Sequence, residues 1–347
     1  MELLPVLEPE EKPQPGIWYV LQPSGEPPGV TVGHTCTFLP PSEAGKGKIV
    51  IVGGANPSGS FSESHVINLD SHEWDIPDWE GLEPRYEHCS FVPQCEPESL
   101  YVFAGAEKSG NHNSVQALRL PGGASGGCSW SSVQVCGVPP SPRTYHTSTA
   151  CVRDQLFVFS GGDAGATAVS DAQLHVFDTV SRTWTQPDTV GTPPSPRHGH
   201  VIAAVQSELY IHGGISGEKI LGDMFKLCTE TLRWQEVTAK GDTPPPLAAH
   251  ACVSHGRNIF IFGGMTAEGA INEMFQFHCD EESWTRLKFT MDPPSPRLDH
   301  SMCLLPWRVR RRGKTQTDGS EDHHLCFVFG GMDTQGLIFN DCLVTLL

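Results

Sequence analysis

The stretch HACVSHGRNIFIFGGMTAEGAINEMFQFHCDEESW, residues 250–284, carries the pattern on which the fold turns. A histidine opens it, and two apolar runs follow, the second ending in Gly263 and Gly264. Glu273 stands nine residues past the second glycine, and Trp284 closes the stretch. β-Branched and aromatic residues fill short runs separated by Gly, Ser and Asp, which reads as four strands, a to d. One four-stranded sheet of this kind cannot cover both of its apolar faces alone.

The same columns recur along the chain. His34, His88, His146, His200, His250 and His300 are separated by 54, 58, 54, 50 and 50 residues. Each is followed by a run ending in a small-residue pair: Gly53-Gly54, Ala104-Gly105, Gly161-Gly162, Gly213-Gly214, Gly263-Gly264 and Gly330-Gly331. The acid column holds Glu63, Asp171, Asp223, Glu273 and, one place later, Asp341, with Ser114 in the second unit. Trp74, Trp130, Trp184, Trp234 and Trp284 end five units. Repeats of this length stack their sheets radially, so an all-β, six-bladed propeller is expected. The glycines supply backbone freedom at a close turn, and Ala104 points to a less demanding turn in blade two. The tryptophans should lie between blades, each N–H finding a carbonyl.

The sixth unit ends in DCLVTLL, residues 341–347, with no tryptophan strand, whereas GIWYVL, residues 16–21, supplies one ahead of the first histidine. Trp18 to Trp74 and Trp74 to Trp130 are both 56 residues. The Trp18 strand is therefore expected to complete blade six and close the ring. Residues 16–347 would form one propeller domain, with residues 1–15 as a tail.

PPSPR occurs at residues 139–143, 193–197 and 293–297, between the tryptophan of one unit and strand a of the next. Proline stiffens such a connection; Ser141, Ser195 and Ser295, each followed by proline, leave a regulatory use open. Arg85, Arg143, Arg197 and Arg297 precede their histidines by three residues, with Thr31 and Leu247 at the other two places. These arginines either pair with the acid column across blades or sit solvated at the rim. Histidines in equivalent places around an axis are held apart and cannot converge to the roughly 2 Å of a zinc–nitrogen bond, so a structural role is expected.

With 38% hydrophobic residues the chain can bury a core despite its 36 Gly and 29 Pro. A net charge of −17 argues against nucleic acid as a direct partner. No apolar run is long enough to span a bilayer, and the start lacks the features of a secretory leader. A cytoplasmic monomer, at most peripheral on membranes, is expected, with its 12 cysteines as reduced thiols. GKGK, residues 45–48, lacks the flanking residues of a phosphate loop. Neither catalytic residues, a metal nor a cofactor is expected.

RVRRRGKTQTDGSEDHHL, residues 308–325, lengthens blade six: His300 to Gly331 spans 31 residues against 14 in blades four and five. It is expected to be a disordered loop, either solvated or a docking patch for acidic lipid heads or an acidic partner. Linkers and b–c loops should share one rim, the a–b and c–d loops the other. The b–c loops carry Phe61, Ile220, Leu221, Ile271, Leu337, Ile338 and Phe339. These either fold back over their blades or form a partner surface anchored by Phe61, Leu221 and Phe339.

The columns resemble the kelch repeat, with its double glycine after strand b, its acid and aromatics in strand c and its tryptophan in strand d, over about residues 16–347. Within the kelch family, LPVLEP (4–9), PRYEH (84–88), PPSPR-x-x-H in blades three and four, and RLDHSMC (297–303) are similar to a branch of effectors of the late-endosomal Rab GTPase. That resemblance implies binding of the GTP-bound Rab and a part in vesicle return from late endosomes to the trans-Golgi network. The residues alone leave open a kelch scaffold for transcription or ubiquitin transfer, or a propeller sugar epimerase or lyase.

Overall fold

The computed structural model describes residues 3–41, 45–120, 128–146, 150–165, 167–309 and 321–347. Six sheets form a six-bladed propeller, and no helix occurs among the described residues. Blade five is representative: Ala251–His255, Asn258–Phe262, Met274–His278 and Ser283–Arg286 pair antiparallel in that order. Its second strand buries four of five residues, and the equivalent Ser99–Phe103 of blade two buries all five. Neighbouring blades cover both faces, so these strands read as continuous apolar runs rather than alternating ones.

The core lies between blades. Trp184 packs 4.9 Å from Phe103 of blade two, Trp234 5.1 Å from Phe159 of blade three, and Trp74 5.9 Å from Phe329 of blade six. The expected carbonyl partners are missing for four indoles: Nε1 of Trp18, Trp130, Trp184 and Trp234 is buried without a hydrogen bond. The rings of Trp18, Trp184 and Trp234 lie against Phe262, Phe103 and Phe159 of the preceding blade. Aromatic burial outweighs the unmade bond, which costs about 1–3 kcal/mol.

Closure follows the sequence reading. Trp18–Leu21 pairs antiparallel with Cys342–Leu346, Trp18 opposite Thr345 and Leu21 opposite Cys342. The residues ahead of it are more than a tail. Val6 forms a parallel bridge to Val20, Leu7 is fully buried, and Trp307 Nε1 donates to Glu11 O at 3.0 Å. Linkers do the same on the other blades. Ser24 bridges Glu73, Glu80 bridges Ser129, Cys136–Gly137 pairs with Thr183–Thr185, Val190 bridges Arg233, and Lys240–Gly241 pairs with Ser283–Arg286. Each outer edge is thus blunted by its own chain. The approach explains a glycine column absent from the sequence reading: Gly25, Gly81, Gly137, Gly191 and Gly241 all have positive φ and lie against a tryptophan carbonyl. At Gly81 an added Cβ would stand 2.6 Å from Trp130 O.

Three expectations need correction. In blade three the turn pair is Ser160 and Gly161 (φ 60 and 124), in the place of Gly213 and Gly214 (φ 70 and 96); Gly162 lies one residue beyond it. Ala104 (φ 64) and Gly105 (φ 95) make the same left-handed turn, so blade two carries the full demand and Ala104 bears the steric cost. The insert at 308–325 is not loop throughout. Ser301–Val309 and Glu321–Phe329 pair to their ends, with Val309 opposite Glu321, because cross-strand hydrogen bonding extends beyond the sheet. Residues 310–320, with most of the basic cluster, lie outside the described residues.

Candidate functional site

The linker rim is built by the arginine column. Arg85, Arg143, Arg197 and Arg297 are buried, so the solvated reading fails. Arg197 donates through Nη1 to Asp223 Oδ1 at 2.6 Å and Gly213 O at 3.1 Å, and through Nη2 to Asp223 Oδ2 at 3.0 Å. Arg297 holds Asp341 by the same fork, and Arg143 holds Asp171 at 3.0 Å. The pairs lie within one unit rather than across blades. The link between blades is made by the main chain: the carbonyls of Arg85, Arg143, Arg197 and Arg297 accept from Gly54, Gly105, Gly161 and Gly264 of the preceding blade at 2.8–2.9 Å. Blade two lacks the acid, and Glu83, two residues upstream, supplies the carboxylate to Arg85 at 3.0 Å. Burial lowers Arg85 to about 10, and Glu83 opposes that shift. Burial alone would raise Asp171, but the Arg143 charge and hydrogen bond outweigh it and hold its carboxyl below the usual range.

PPSPR belongs to this construction. Its proline-flanked serine turns its carbonyl to the arginine Nε at 3.0 Å from Ser141 and Ser195 and 3.2 Å from Ser295. The hydroxyls of Ser141 and Ser195 also accept from Nη2. The motif is a clamp on the buried guanidinium.

The histidine column is structural as expected. Nε2–H of His34, His200 and His300 donates to the carbonyls of Phe329, Phe159 and Phe262 at 3.0, 3.0 and 3.1 Å, joining each blade to the one before it. Burial drives His34 and His200 down to about 3, so both remain neutral. His88, His146 and His250 depart from the pattern: their Nε2 atoms meet Thr35 Oγ1, His34 O and His212 Nδ1 at 3.1, 2.6 and 3.0 Å. No group of three or more His, Cys, Asp or Glu converges as metal ligands among the described residues.

One residue before each histidine, five main-chain hydrogen bonds form an arc around the axis, from Tyr145 round to Gly199. Gly33 N donates to Asp299 O, Glu87 N to Gly33 O, Tyr145 N to Glu87 O, Ala249 N to Gly199 O and Asp299 N to Ala249 O, all at 2.7–3.1 Å. Five of these six residues hold positive φ, Tyr145 being the exception. Inside the arc lies a cavity of about 190 Å³ whose polar wall includes Glu87, Asp299, His146 and His200. Burial pushes Asp299 up to about 7, and the nearby Glu87 adds to the rise; burial raises Glu87 too, against a hydrogen bond from Thr144. Both are half-buried and line the cavity. Sequence reading missed this pair, because each stands in a column that otherwise holds Gly, Ala or Tyr.

The b–c loop residues fall into two groups. Phe61, Leu221, Ile271 and Phe339 donate their amides to Gly54, Gly214, Gly264 and Gly331 at 2.8–3.0 Å, and the carbonyls of the first three accept from Arg85, Leu247 and Arg297 of the next linker. The first three thus join neighbouring blades, whereas the Phe339 ring lies 4.3 Å from the Arg297 guanidinium of its own unit. Ile220 and Ile338 pair within their loops with Ile215 and Met332 and are half-buried. Leu337 alone stands out, 60% exposed.

A family model described as the KLHDC2/KLHL20/DRC7 kelch-repeats domain matches residues 33–264 and 127–313. The chain is 73% identical over 353 residues to the zebrafish (Danio rerio) Rab9 effector protein with kelch motifs, covering all of both chains. It is 51% identical over 376 residues to the human (Homo sapiens) Rab9 effector protein with kelch motifs, again at full coverage. A more distant likeness, 29% over 222 residues, links 62% of the chain to 33% of acyl-CoA-binding domain-containing protein 5 of Arabidopsis thaliana.

Proposed function

We propose, for a chain that belongs to the kelch-repeat family and to its Rab9 effector branch, that it is a non-catalytic effector whose linker rim receives GTP-loaded Rab9. The observation that carries this reading is the likeness to the zebrafish and human effectors over the whole length of both chains. The geometry is consistent with it. Buried ion pairs, an arc of main-chain hydrogen bonds around the axis and a closing terminal strand make a stiff disc. A stiff disc holds its loops in place for a partner with little ordering cost on binding. Leu337 and the half-buried Ile338 of blade six offer apolar contact on the linker rim, beside Arg297 and Phe339.

Binding the nucleotide-loaded Rab would bring the effector to late endosomes and engage it in vesicle return to the trans-Golgi network. No helix among the described residues is long and apolar enough to cross a membrane. With a net charge of −17 the Rab, rather than anionic lipid, would supply the attraction. The test is capture of the chain on immobilised Rab9 loaded with a GTP analogue or with GDP. Capture by the GTP-analogue form alone is expected; equal capture by both forms, or none by either, overturns the effector reading.

A further inference from the structure

We propose that the axial cavity on the linker rim is a receptor for an arginine or lysine side chain presented by a protein partner. Its volume of about 190 Å³ equals that of about six waters at roughly 30 Å³ each, enough for a cationic head and part of its stem. Glu87 and Asp299 flank Gly33 in the main-chain arc, which puts no side chain between them. Neither makes an ion pair among the described residues. Two carboxylates facing one cavity repel each other until a cation enters.

The wall also carries imidazole acceptors, a feature of the histidine column at large, since Nδ1 of His34, His88 and His300 is equally unpartnered. His200 lines this cavity, is 6% exposed and donates through Nε2 to Phe159 O, so its Nδ1 is a lone pair, and that atom has no partner. Nδ1 of His250, also lining the cavity and 4% exposed, is unpartnered as well. Carboxylates and an imidazole lone pair are acceptors, and acceptors select a group rich in donors: an ammonium offers three, a guanidinium five. Ile215, Met265 and Leu298 add an apolar wall suited to the methylene stem. The cavity lies on the rim formed by linkers and b–c loops, where a protein surface can approach it. The excess of negative charge on the chain favours a basic segment.

The test is calorimetric titration of the full chain at pH 7.5 with four probes: the peptide acetyl-Gly-Ser-Arg-Gly-Ser-amide, its citrulline counterpart, butylguanidinium chloride and calcium chloride. The arginine peptide should bind at one site, and the neutral, isosteric citrulline peptide at least tenfold more weakly. Glu87→Gln and Asp299→Asn should each weaken the arginine peptide at least tenfold, while Glu230→Gln, an exposed acid on the opposite rim, should leave it unchanged. Thermal melts of the two cavity variants at or above the parent would establish that they fold. No saturable binding of the arginine peptide, or equal binding by the variants, overturns the proposal and leaves a carboxyl pair that shares a proton. Binding of butylguanidinium without the peptide would make it a site for a free small cation, and displacement of the peptide by calcium a site for an inorganic ion; either result also overturns it. Because no probe is a Rab, failure here and failure of the Rab9 capture are separate outcomes.

Discussion

Arg197→Leu tests the claim that a buried arginine fork braces each blade from within. The guanidinium is buried and makes five polar contacts: two to Asp223, one to Gly213 O and two to Ser195. Removing one partner of a buried ion pair costs about 3–5 kcal/mol. Asp223 keeps 30% side-chain exposure, so water can resolvate its charge, which places the electrostatic part near or below the lower bound. The Gly213 carbonyl loses a donor in a buried turn, at about 1–3 kcal/mol. Together these give a loss of about 3–6 kcal/mol, read by equilibrium urea unfolding followed through tryptophan fluorescence. Arg197→Lys should fall between the parent and Arg197→Leu, because an ammonium cannot span both carboxylate oxygens. Pairing Arg197→Leu with Asp223→Asn should lose less than the sum of the single variants by at least about 0.5 kcal/mol. A loss below about 0.5 kcal/mol for Arg197→Leu, the range of an ordinary surface substitution, would refute the reasoning.

Ala104→Gly should stabilise the chain by about 0.4–1 kcal/mol or somewhat more, since φ 64 strains an alanine and not a glycine; a destabilised variant in urea unfolding would contradict the assignment of strain there. His34, His200 and His212 are held at about 3, 3 and 4 in the folded chain against 6.5 when unfolded. The unfolded chain therefore binds more protons below pH 6.5, and stability falls as pH drops from about 6.5 toward 4, by up to about 1.4 kcal/mol per pH unit for each histidine. His200→Gln should flatten that slope, and an unchanged slope would show that His200 is not held neutral. Asp299, raised to about 7, acts in the opposite sense: the folded state holds its proton between about pH 4 and 7, so stability declines as pH rises through that window. Asp299→Asn should remove the decline, measured by urea unfolding at pH 5, 6, 7 and 8.

The architecture was legible because its determinants repeat. Four columns at matching spacing predict the strand order, and the lone Trp18 strand predicts closure onto Cys342–Leu346. What repetition could not convey was direction and exception. Arg143 and Asp171 could be matched as columns, but whether they meet within a blade or across it depends on the path of the linker. Aligning glycines by identity placed the blade-three turn one residue late, since Ser160 adopts the left-handed conformation that glycine holds elsewhere. The Gly25 to Gly241 column was present in the sequence, but it stands in linkers that vary in length and composition. The Glu87–Asp299 pair arises from two single departures in separate blades, and only closing the ring brings them together. The apolar b–c residues read equally well as seam or surface, because burial is set by the neighbouring blade and not by their own.

The linker rim as the face that receives Rab9 is tested most directly by comparing two single charges. Leu337, 60% exposed, lies in the b–c loop of blade six, and Val180, 69% exposed, lies in the c–d turn of blade three on the opposite rim. Affinity for GTP-loaded Rab9 is measured for Leu337→Asp and Val180→Asp beside the parent, with melts to establish that all three are folded. A loss of at least about tenfold, or 1.4 kcal/mol, for Leu337→Asp with Val180→Asp unchanged is the predicted result. The reverse pattern, or no loss for Leu337→Asp, would contradict it.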